Sequence, residues 1–114
     1  MPTKSSVKNL FVYGTLMDKR LLYQITGKYF STFPAVLRGF KKLDSHLGYP
    51  YILPYKASKI EGLLIKNIDP ESSKKLDRFE GELYSRRRVT VVRGGKRTAC
   101  EVYVGKKKPL CPRS

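Results

Sequence analysis

The sequence predicts an α+β fold: a small, mixed and mostly antiparallel β-barrel with flanking helices. About six short segments are rich in β-branched and aromatic residues, and only two segments carry helical punctuation. Because the strands dominate and the last two read as a hairpin, we expect one sheet that curls toward closure. The 114 residues are enough for one domain with a modest core.

The first half of the chain begins with a short buried strand and a helix. The apolar run NLFVY (residues 9–13) stops at Gly14, as expected of a buried strand. The segment DKRLLYQITG then has helical character and ends at Gly27, a suitable terminating glycine. STFPAVLRGFKKL follows as a strand with an irregularity, because Pro34 and Gly39 interrupt its β-formers.

The second half contains a loop, a strand, a capped helix and a hairpin. GYPYILPY, with its prolines and tyrosines, reads as a loop around a short extended piece, and KIEGLLIKNI reads as a central strand. DPESSKKLDRFEG predicts a helix over residues 70–80, with Asp69 as N-cap, Pro70 at the first helical position and Gly81 at the end. YSRRRVTVV, the turn RGGKR and TACEVYVG read as a β-hairpin.

The chain ends and cysteines bound the domain and its environment. We expect a domain over residues 7–105, with residues 1–6 and 106–114 as loose termini. No apolar stretch reaches signal-peptide or membrane-spanning length, so we expect a cytoplasmic protein that does not bind membranes. Cys100 and Cys111 are too few for a disulfide framework and lack metal-ligand spacing. Cys100 lies in an apolar run and is expected to be a buried thiol.

Basic residues greatly outnumber acidic ones. Twenty-four Lys and Arg residues against nine Asp and Glu residues give a formal net charge of +15 and a pI of about 10.0. Such a charge attracts nucleic acid, anionic membranes or acidic small molecules, but scattered basic residues also simply keep a small protein soluble. No nucleotide-binding glycine pattern occurs, and the basic hairpin lacks the regularly placed aromatic residues of RNA-binding surfaces. Nucleic-acid binding is therefore open but unsupported.

The scarcity of acids shortens the list of candidate general bases. Several carboxylates fit structural roles at helix starts or on exposed faces: Asp18, Asp69, Glu71, Asp77 and Glu82. The single imidazole, His46, reads as a loop residue without an obvious partner. Glu101 is a rival base, because strand alternation puts it with Tyr103 on one face, opposite an apolar face formed by Cys100 and Val102.

Glu80 is the carboxylate whose position needs an explanation. It ends the predicted helix, where unpaired carbonyls are negative and a carboxylate is disfavoured. Leu76 and Phe79 define the apolar face at 100° per residue, and Glu80, one turn after Leu76, lies at its edge. Burial and the helix end both predict a raised pKa, suited to accepting and returning a proton near neutrality. The alternative is an exposed carboxylate paired with one of the arginines 86–88.

The sequence FVYGTL ends a buried strand with a glycine and a threonine. Gly14 and the following amides can approach a ligand closely and form an anion-binding concavity. Turns of this kind are also common where no ligand binds, so the segment alone does not define a site.

Four segments in order, LFVYGTL, GYP, IEGLLI and LDRFEGELYSRRRVTV, resemble the gamma-glutamylcyclotransferase-like superfamily. The resemblance covers roughly residues 9–104 and is strongest to the small single-domain branch that includes gamma-glutamylamine cyclotransferases. It implies a small mixed barrel with a cavity at one side, and Glu80 as the acid/base catalyst. The substrate-binding residues that it implies are Tyr13, Gly14, Thr15, Leu16, Tyr84 and Tyr103.

The reaction implied by the resemblance is the cyclisation of a γ-glutamyl amide or amine to 5-oxoproline with release of the amine. It is a cyclisation of the lyase or acyltransferase type and needs no metal or other cofactor. The expected partner is a small γ-glutamyl substrate, and the expected state is a monomer or homodimer. The alternative is a non-catalytic module that binds a small molecule or nucleic acid with the same pocket and the basic surface.

Overall fold

The structure, a computed structural model, describes residues 8–44, 50–81 and 84–105. Within these ranges it contains five strands and two α-helices, plus one turn of 3₁₀ helix over Thr15–Met17. The strands are β1 (Lys8–Val12), β2 (Thr32–Asp44), β3 (Pro50–Ile68), β4 (Tyr84–Arg93) and β5 (Lys96–Gly105), and the helices are α1 (Lys19–Thr26) and α2 (Pro70–Glu80). Both predicted loose termini lie outside the described residues, as do His46, Glu82 and Cys111.

The strands form a closed barrel in the order β1–β3–β2–β4–β5. The neighbouring strands pair antiparallel, except that β5 and β1 pair in parallel and close the barrel. The predicted α+β class and mostly antiparallel barrel are confirmed, with five described strands where about six were expected. Within the described residues, neither helix has the length and apolarity needed to cross a lipid bilayer.

The strand β3 is longer than the sequence predicts. The expected loop around YILPY is wrong, because residues 50–68 form one 19-residue strand. Its first part pairs with the end of β2, where Pro50 lies opposite Asp44 and Pro54 opposite Phe40. Among the described strands, this first part of β3 pairs with β2 alone, so its other edge is unpaired. A proline, which has no N–H, loses no ladder hydrogen bond on an unpaired edge. The predicted irregularity of β2 is confirmed as a register shift around Gly39.

The other predicted elements follow their local signals. In α2, the Asp69 carboxylate accepts a hydrogen bond from the Ser72 N–H at 3.1 Å, and the helix ends at Gly81. In α1, Asp18 caps the start and Gly27 ends the helix in the left-handed conformation. The β4–β5 turn is formed by two glycines, residues 94 and 95, with φ angles of 56° and 80°. Two consecutive positive φ angles are typical of the tight hairpin turn that glycine favours.

The core has two layers, one inside the barrel and one between the barrel and the helices. The barrel interior holds Phe11, Tyr13, Ala35, Leu37, Phe40, Ile52, Ile60, Leu64, Val91, Cys100 and Val102. The outer layer holds Leu10, Val12, Leu16, Leu22, Ile65, Ile68, Leu76 and Tyr103. Successive residues of β1 therefore enter opposite layers and are both buried, which explains the unbroken apolar run in the sequence.

Gly62, in the IEGLLI motif, lies where β3 and β1 make their closest approach. A Cβ atom added to this glycine would lie 2.3 Å from the Val12 carbonyl oxygen and 2.8 Å from the Phe11 ring. Neither distance is tolerable for a real side chain, so any larger residue would push β1 outward. Because β1 leads directly into the turn that begins at Tyr13, Gly62 helps to fix the position of that turn.

Candidate active site

A cavity of about 370 Å³ opens between the end of β1, the end of α2 and the neighbouring ends of β4 and β5. Its volume is within the range of small-molecule sites. The lining residues are Phe11, Val12, Tyr13, Gly14, Thr15, Leu16, Phe79, Glu80, Tyr84 and Tyr103. Glu80 and the six residues that the resemblance implies for substrate binding are all among them, although their positions span most of the chain.

Of the described residues that line this cavity, Glu80 alone carries a carboxylate. It is half-buried, and burial raises its pKa from the ordinary value of 4.5 to about 7. The predicted rise is therefore confirmed, with desolvation as its cause. Among the described residues, no basic side chain forms an ion pair with Glu80, so the alternative of a carboxylate paired with one of the arginines 86–88 is wrong. Near neutrality, both protonation states of Glu80 are populated.

Phe79 does not occupy the place that helical periodicity predicts. The buried residues of α2 are Ser72, Ser73 and Leu76, whereas Phe79 is 46% exposed. Phe79 lies at the cavity rather than in the core, because the last turn of α2 contributes both Phe79 and Glu80 to the cavity lining. Its exposed apolar surface adds to the lining beside Glu80. Sequence reasoning missed this role because an apolar residue at helical spacing is normally read as core.

The turn after β1 supplies backbone groups to the cavity. A 3₁₀ turn begins at Thr15, with the Met17 N–H donating to the Gly14 carbonyl at 3.0 Å. The amides of Thr15 and Leu16 come before this first hydrogen bond, and a helix start leaves such N–H groups without helical acceptors. Both residues line the cavity. The turn can therefore offer amide donors to an anionic group.

Two tyrosines join the turn to the last strand. The buried Tyr13 hydroxyl donates to the Tyr103 carbonyl at 2.6 Å, a contact between residues 90 positions apart. The Tyr103 hydroxyl donates to the Asp77 carboxylate at 2.7 Å and accepts from Arg86 at 3.1 Å. Burial raises the pKa of both hydroxyls, so both are protonated at neutral pH. The hydroxyl of Tyr103 is thus engaged with α2, and the residue also lines the cavity.

Lys42 places a positive charge beside the turn. Its Nζ donates to the Tyr13 carbonyl at 3.2 Å from the end of β2. An ammonium group here makes the site more favourable for an anionic ligand. No local sequence signal could have identified Lys42, because it is 29 positions from Tyr13 in the chain.

The rival carboxylate, Glu101, lies outside the cavity lining. It forms ion pairs with Arg86 at 2.5 Å and with Lys8 at 3.4 Å. The predicted strand alternation holds, since Tyr103 packs in the outer layer while Cys100 and Val102 lie inside the barrel. Each carboxylate oxygen of Glu101 is thus paired with a cation.

The sequence also predicts an exposed Asp77 and a buried Cys100 thiol. Asp77 is about half exposed, as predicted, but its carboxylate also binds Arg86 at 2.6 Å, which the sequence did not indicate. Cys100 is buried as predicted, and burial raises its pKa to about 12, so it is a protonated thiol at neutral pH. In the part of the chain that the structure describes, no three His, Cys, Asp or Glu side chains group as metal ligands do.

Comparisons with known proteins agree with the motifs. A family model described as "Gamma-glutamyl cyclotransferase, AIG2-like" matches residues 10–113. AIG2-like protein C of Arabidopsis thaliana is 35% identical over 104 residues, which are 88% of this chain and 60% of that protein. The chain thus spans about 60% of the length of this curated relative.

Solved structures share the fold. A solution structure of an Arabidopsis thaliana protein has a TM-score of 0.83 at 28% identity, covering 96% of this chain and 68% of that chain. A structure named gamma-glutamyl cyclotransferase has a TM-score of 0.76 at 20% identity, covering 88% and 67% of the two chains, and this likeness concerns the fold alone. Since the family model spans nearly the whole domain, the chain belongs to the gamma-glutamyl cyclotransferase, AIG2-like family.

Proposed function

We propose that this protein is an intramolecular γ-glutamyl cyclotransferase, which converts a γ-glutamyl amide or amine to 5-oxoproline and releases the amine. The observation that carries the proposal is the state of Glu80: a half-buried carboxyl group with a pKa of about 7, on a cavity that also contains backbone amides. Membership of the family supports the same reaction class.

The first step is a proton transfer followed by ring closure. The Glu80 carboxylate takes a proton from the α-ammonium of the substrate, and the freed nitrogen attacks the γ-carbonyl carbon of the same molecule. A carbon–nitrogen bond forms, and the carbonyl oxygen becomes an oxyanion. Amide groups of the turn, at Thr15 and Leu16, stabilise this charge. A base with a pKa near 7 suits this step better than an ordinary carboxylate, because its proton affinity is closer to that of the amine.

The second step breaks the bond to the leaving amine. Protonated Glu80 gives its proton to the departing nitrogen, the original carbon–nitrogen bond breaks, and the carbonyl re-forms within the five-membered ring. The ring nitrogen loses its remaining extra proton, and the released amine gains one in water, so the reaction balances without a co-substrate. Because nucleophile and electrophile belong to one molecule, proximity supplies much of the acceleration.

Glu80→Gln tests the proposal because it keeps the shape of the side chain and removes the base. We expect kcat for 5-oxoproline release to fall by roughly 10²–10⁴-fold, the usual contribution of a general base, with little change in KM. The substrate panel contains γ-glutamyl amines, γ-glutamyl amino acids, ε-(γ-glutamyl)-lysine and glutathione, assayed by chromatography of 5-oxoproline.

Two variants serve as controls. Glu71→Gln makes the same substitution on an exposed position of α2, and we expect it to keep wild-type activity. Glu101→Gln tests the rival base, and it should lower kcat far less than Glu80→Gln does, because Glu101 does not line the cavity. A wild-type rate in Glu80→Gln would contradict the assignment, and binding of the substrates without turnover by the wild type would favour a binding module instead.

A further inference from the structure

The signature segment that contains Glu80 is closed by an ion pair. In LDRFEGELYSR, Asp77 lies three residues before Glu80 and Arg86 lies six residues after it. The Nε of Arg86 donates to the Asp77 carboxylate at 2.6 Å. The nine-residue span that this contact closes includes both Glu80 and Tyr84, which line the cavity. The Asp77–Arg86 ion pair therefore ties together the two ends of the segment that contains Glu80.

The guanidinium of Arg86 connects α2 to β5 through several further contacts. On α2, it donates to the Ser73 hydroxyl at 2.6 Å and to the Ser73 carbonyl at 3.3 Å. On β5, it donates to Glu101 at 2.5 Å and to the Tyr103 hydroxyl at 3.1 Å, and it lies over the Tyr103 ring at 5.1 Å. The side chain is only 16% exposed. Almost the whole donor set of Arg86 is thus used to join one helix to one strand.

The contacted residues of α2 lie in line with Glu80. Ser73, Asp77 and Glu80 are spaced by four and then three residues, so they share one face of the helix. Arg86 therefore holds the same row of side chains that ends in Glu80. Few apolar groups help it, because Leu76 is the only large side chain among the buried residues of α2. Most helices are attached to the rest of the protein by apolar packing. In α2, the ion pair and hydrogen bonds of Arg86 provide part of this attachment.

We propose that Arg86 is a positioning residue for Glu80: its guanidinium clamps α2 to β5 so that the Glu80 carboxyl is held at the cavity that Tyr103 also lines. The inference rests on the proposed function, since it assumes that Glu80 exchanges protons with a substrate. Arg86 does not line the cavity, so it acts through the helix rather than on the substrate.

The role requires arginine rather than lysine. The planar fork of a guanidinium reaches Asp77, Ser73 and Glu101 at fixed angles, whereas an ammonium is a single point charge. Burial by itself would lower the pKa of Arg86, but its hydrogen bonds to Asp77 and Glu101 outweigh that effect and raise it. The guanidinium of Arg86 therefore stays charged across the physiological pH range.

The test compares Arg86→Lys with Lys8→Met, assayed beside the wild type and Glu80→Gln. Arg86→Lys keeps the charge but loses the fork, and we expect kcat to fall roughly 10–100-fold while KM changes less than about threefold, because a small displacement of a catalytic group lowers the rate more than binding. Lys8 lies on β1 rather than on α2, and its Nζ is 3.4 Å from the same Glu101 carboxylate. Lys8→Met should therefore keep the wild-type kcat.

A second variant keeps the test informative if Arg86→Lys folds poorly. Asp77→Asn removes one ion pair of the clamp without leaving a buried charge on α2, and we expect a similar fall in kcat. If both residues act through one clamp, the double variant is no slower than the slower single variant, whereas independent roles would give multiplied losses. All rates are measured well below the unfolding temperature of each variant.

The possible outcomes separate the two proposals. A wild-type kcat in Arg86→Lys and Asp77→Asn, with Glu80→Gln inactive, overturns the clamp and leaves the cyclotransferase assignment intact. Multiplied losses in the double variant also overturn the clamp. No 5-oxoproline from the wild type with any substrate of the panel overturns the proposed function and the clamp with it. A fall in kcat at unchanged KM, absent in Lys8→Met, supports the clamp.

Discussion

At Glu80, one physical effect serves catalysis and opposes folding. Burial withholds water from the carboxylate and raises its pKa to about 7, which places its titration in the physiological range. The same loss of hydration makes the ionised form costly in the folded protein. The burial of the Glu80 carboxylate therefore favours activity and lowers the stability of the folded protein.

The pH dependence of the reaction should report the Glu80 carboxyl. The base must be ionised to take the α-ammonium proton, so kcat/KM should rise about tenfold per pH unit below pH 6 and level off above about pH 7. Initial rates between pH 5 and 8 measure this rise in kcat/KM, and the Glu71→Gln control should show the same pH dependence. A profile that is flat over this range would mean that the base is another group.

The stability of Glu80→Gln relative to the wild type should depend on pH. The folded pKa of about 7 lies above the ordinary 4.5, so the protonated form is favoured by folding. Wild-type stability is unaffected below pH 4.5 and falls as the pH rises from there to 7. Glu80→Gln should therefore match the wild type near pH 4 and exceed it by about 1–3 kcal/mol at pH 8. Urea unfolding at about pH 4 and about pH 8 measures the difference in the free energy of unfolding between Glu80→Gln and the wild type. The same difference at both pH values would contradict the burial of the Glu80 charge.

At the scale of elements, the position of each catalytic group depends on one close contact of its strand or helix. The turn at Gly14 is held by β1, which β3 can approach closely because residue 62 is glycine. Glu80 is held by α2, which Arg86 and Leu76 attach to the barrel. Each group thus depends on residues that never touch the cavity.

Gly62→Ala should destabilise the protein, although a glycine-to-alanine change in a strand usually has the opposite effect through the unfolded chain. The new methyl group would meet the Val12 carbonyl at 2.3 Å, and relieving this clash should cost about 1–3 kcal/mol. Urea unfolding measures the cost, with Thr90→Ala on the exposed face of β4 as the control. Equal or higher stability in Gly62→Ala would show that β1 moves freely. Activity should fall as well, because β1 leads into the turn.

At the scale of the whole molecule, barrel closure assembles the site. The parallel pairing of β5 with β1 brings the end of the chain beside its beginning, so that Tyr103 meets Tyr13. Leu76 of α2 packs in the same core layer as Leu10 and Tyr103 of these two strands, and α2 brings Glu80 to the cavity. The strands also carry much of the positive charge, because 12 of the 24 Lys and Arg residues lie on β2 to β5. An anionic substrate therefore approaches a molecule that is mostly positive.

The sequence alone determined whatever depends on neighbours within a few residues. The bounds of α2, the caps of both helices and the glycine turn of the β4–β5 hairpin were predicted because caps and turns act over a single turn of chain. The motifs around Gly14 and Glu80 also identified the family, since residue types at fixed spacing can be read without a structure.

Only the tertiary structure decided what depends on distant parts of the chain. It showed that Glu80 is free of the arginines while Asp77 and Glu101 bind one of them, that Phe79 lies at the cavity, and that Lys42 contacts the turn. It also showed β3 as one long strand, because pairing with β2 overrides the prolines that suggested a loop. Burial and ion pairing arise from contacts between residues tens of positions apart, and local patterns do not record which of several equivalent partners will meet.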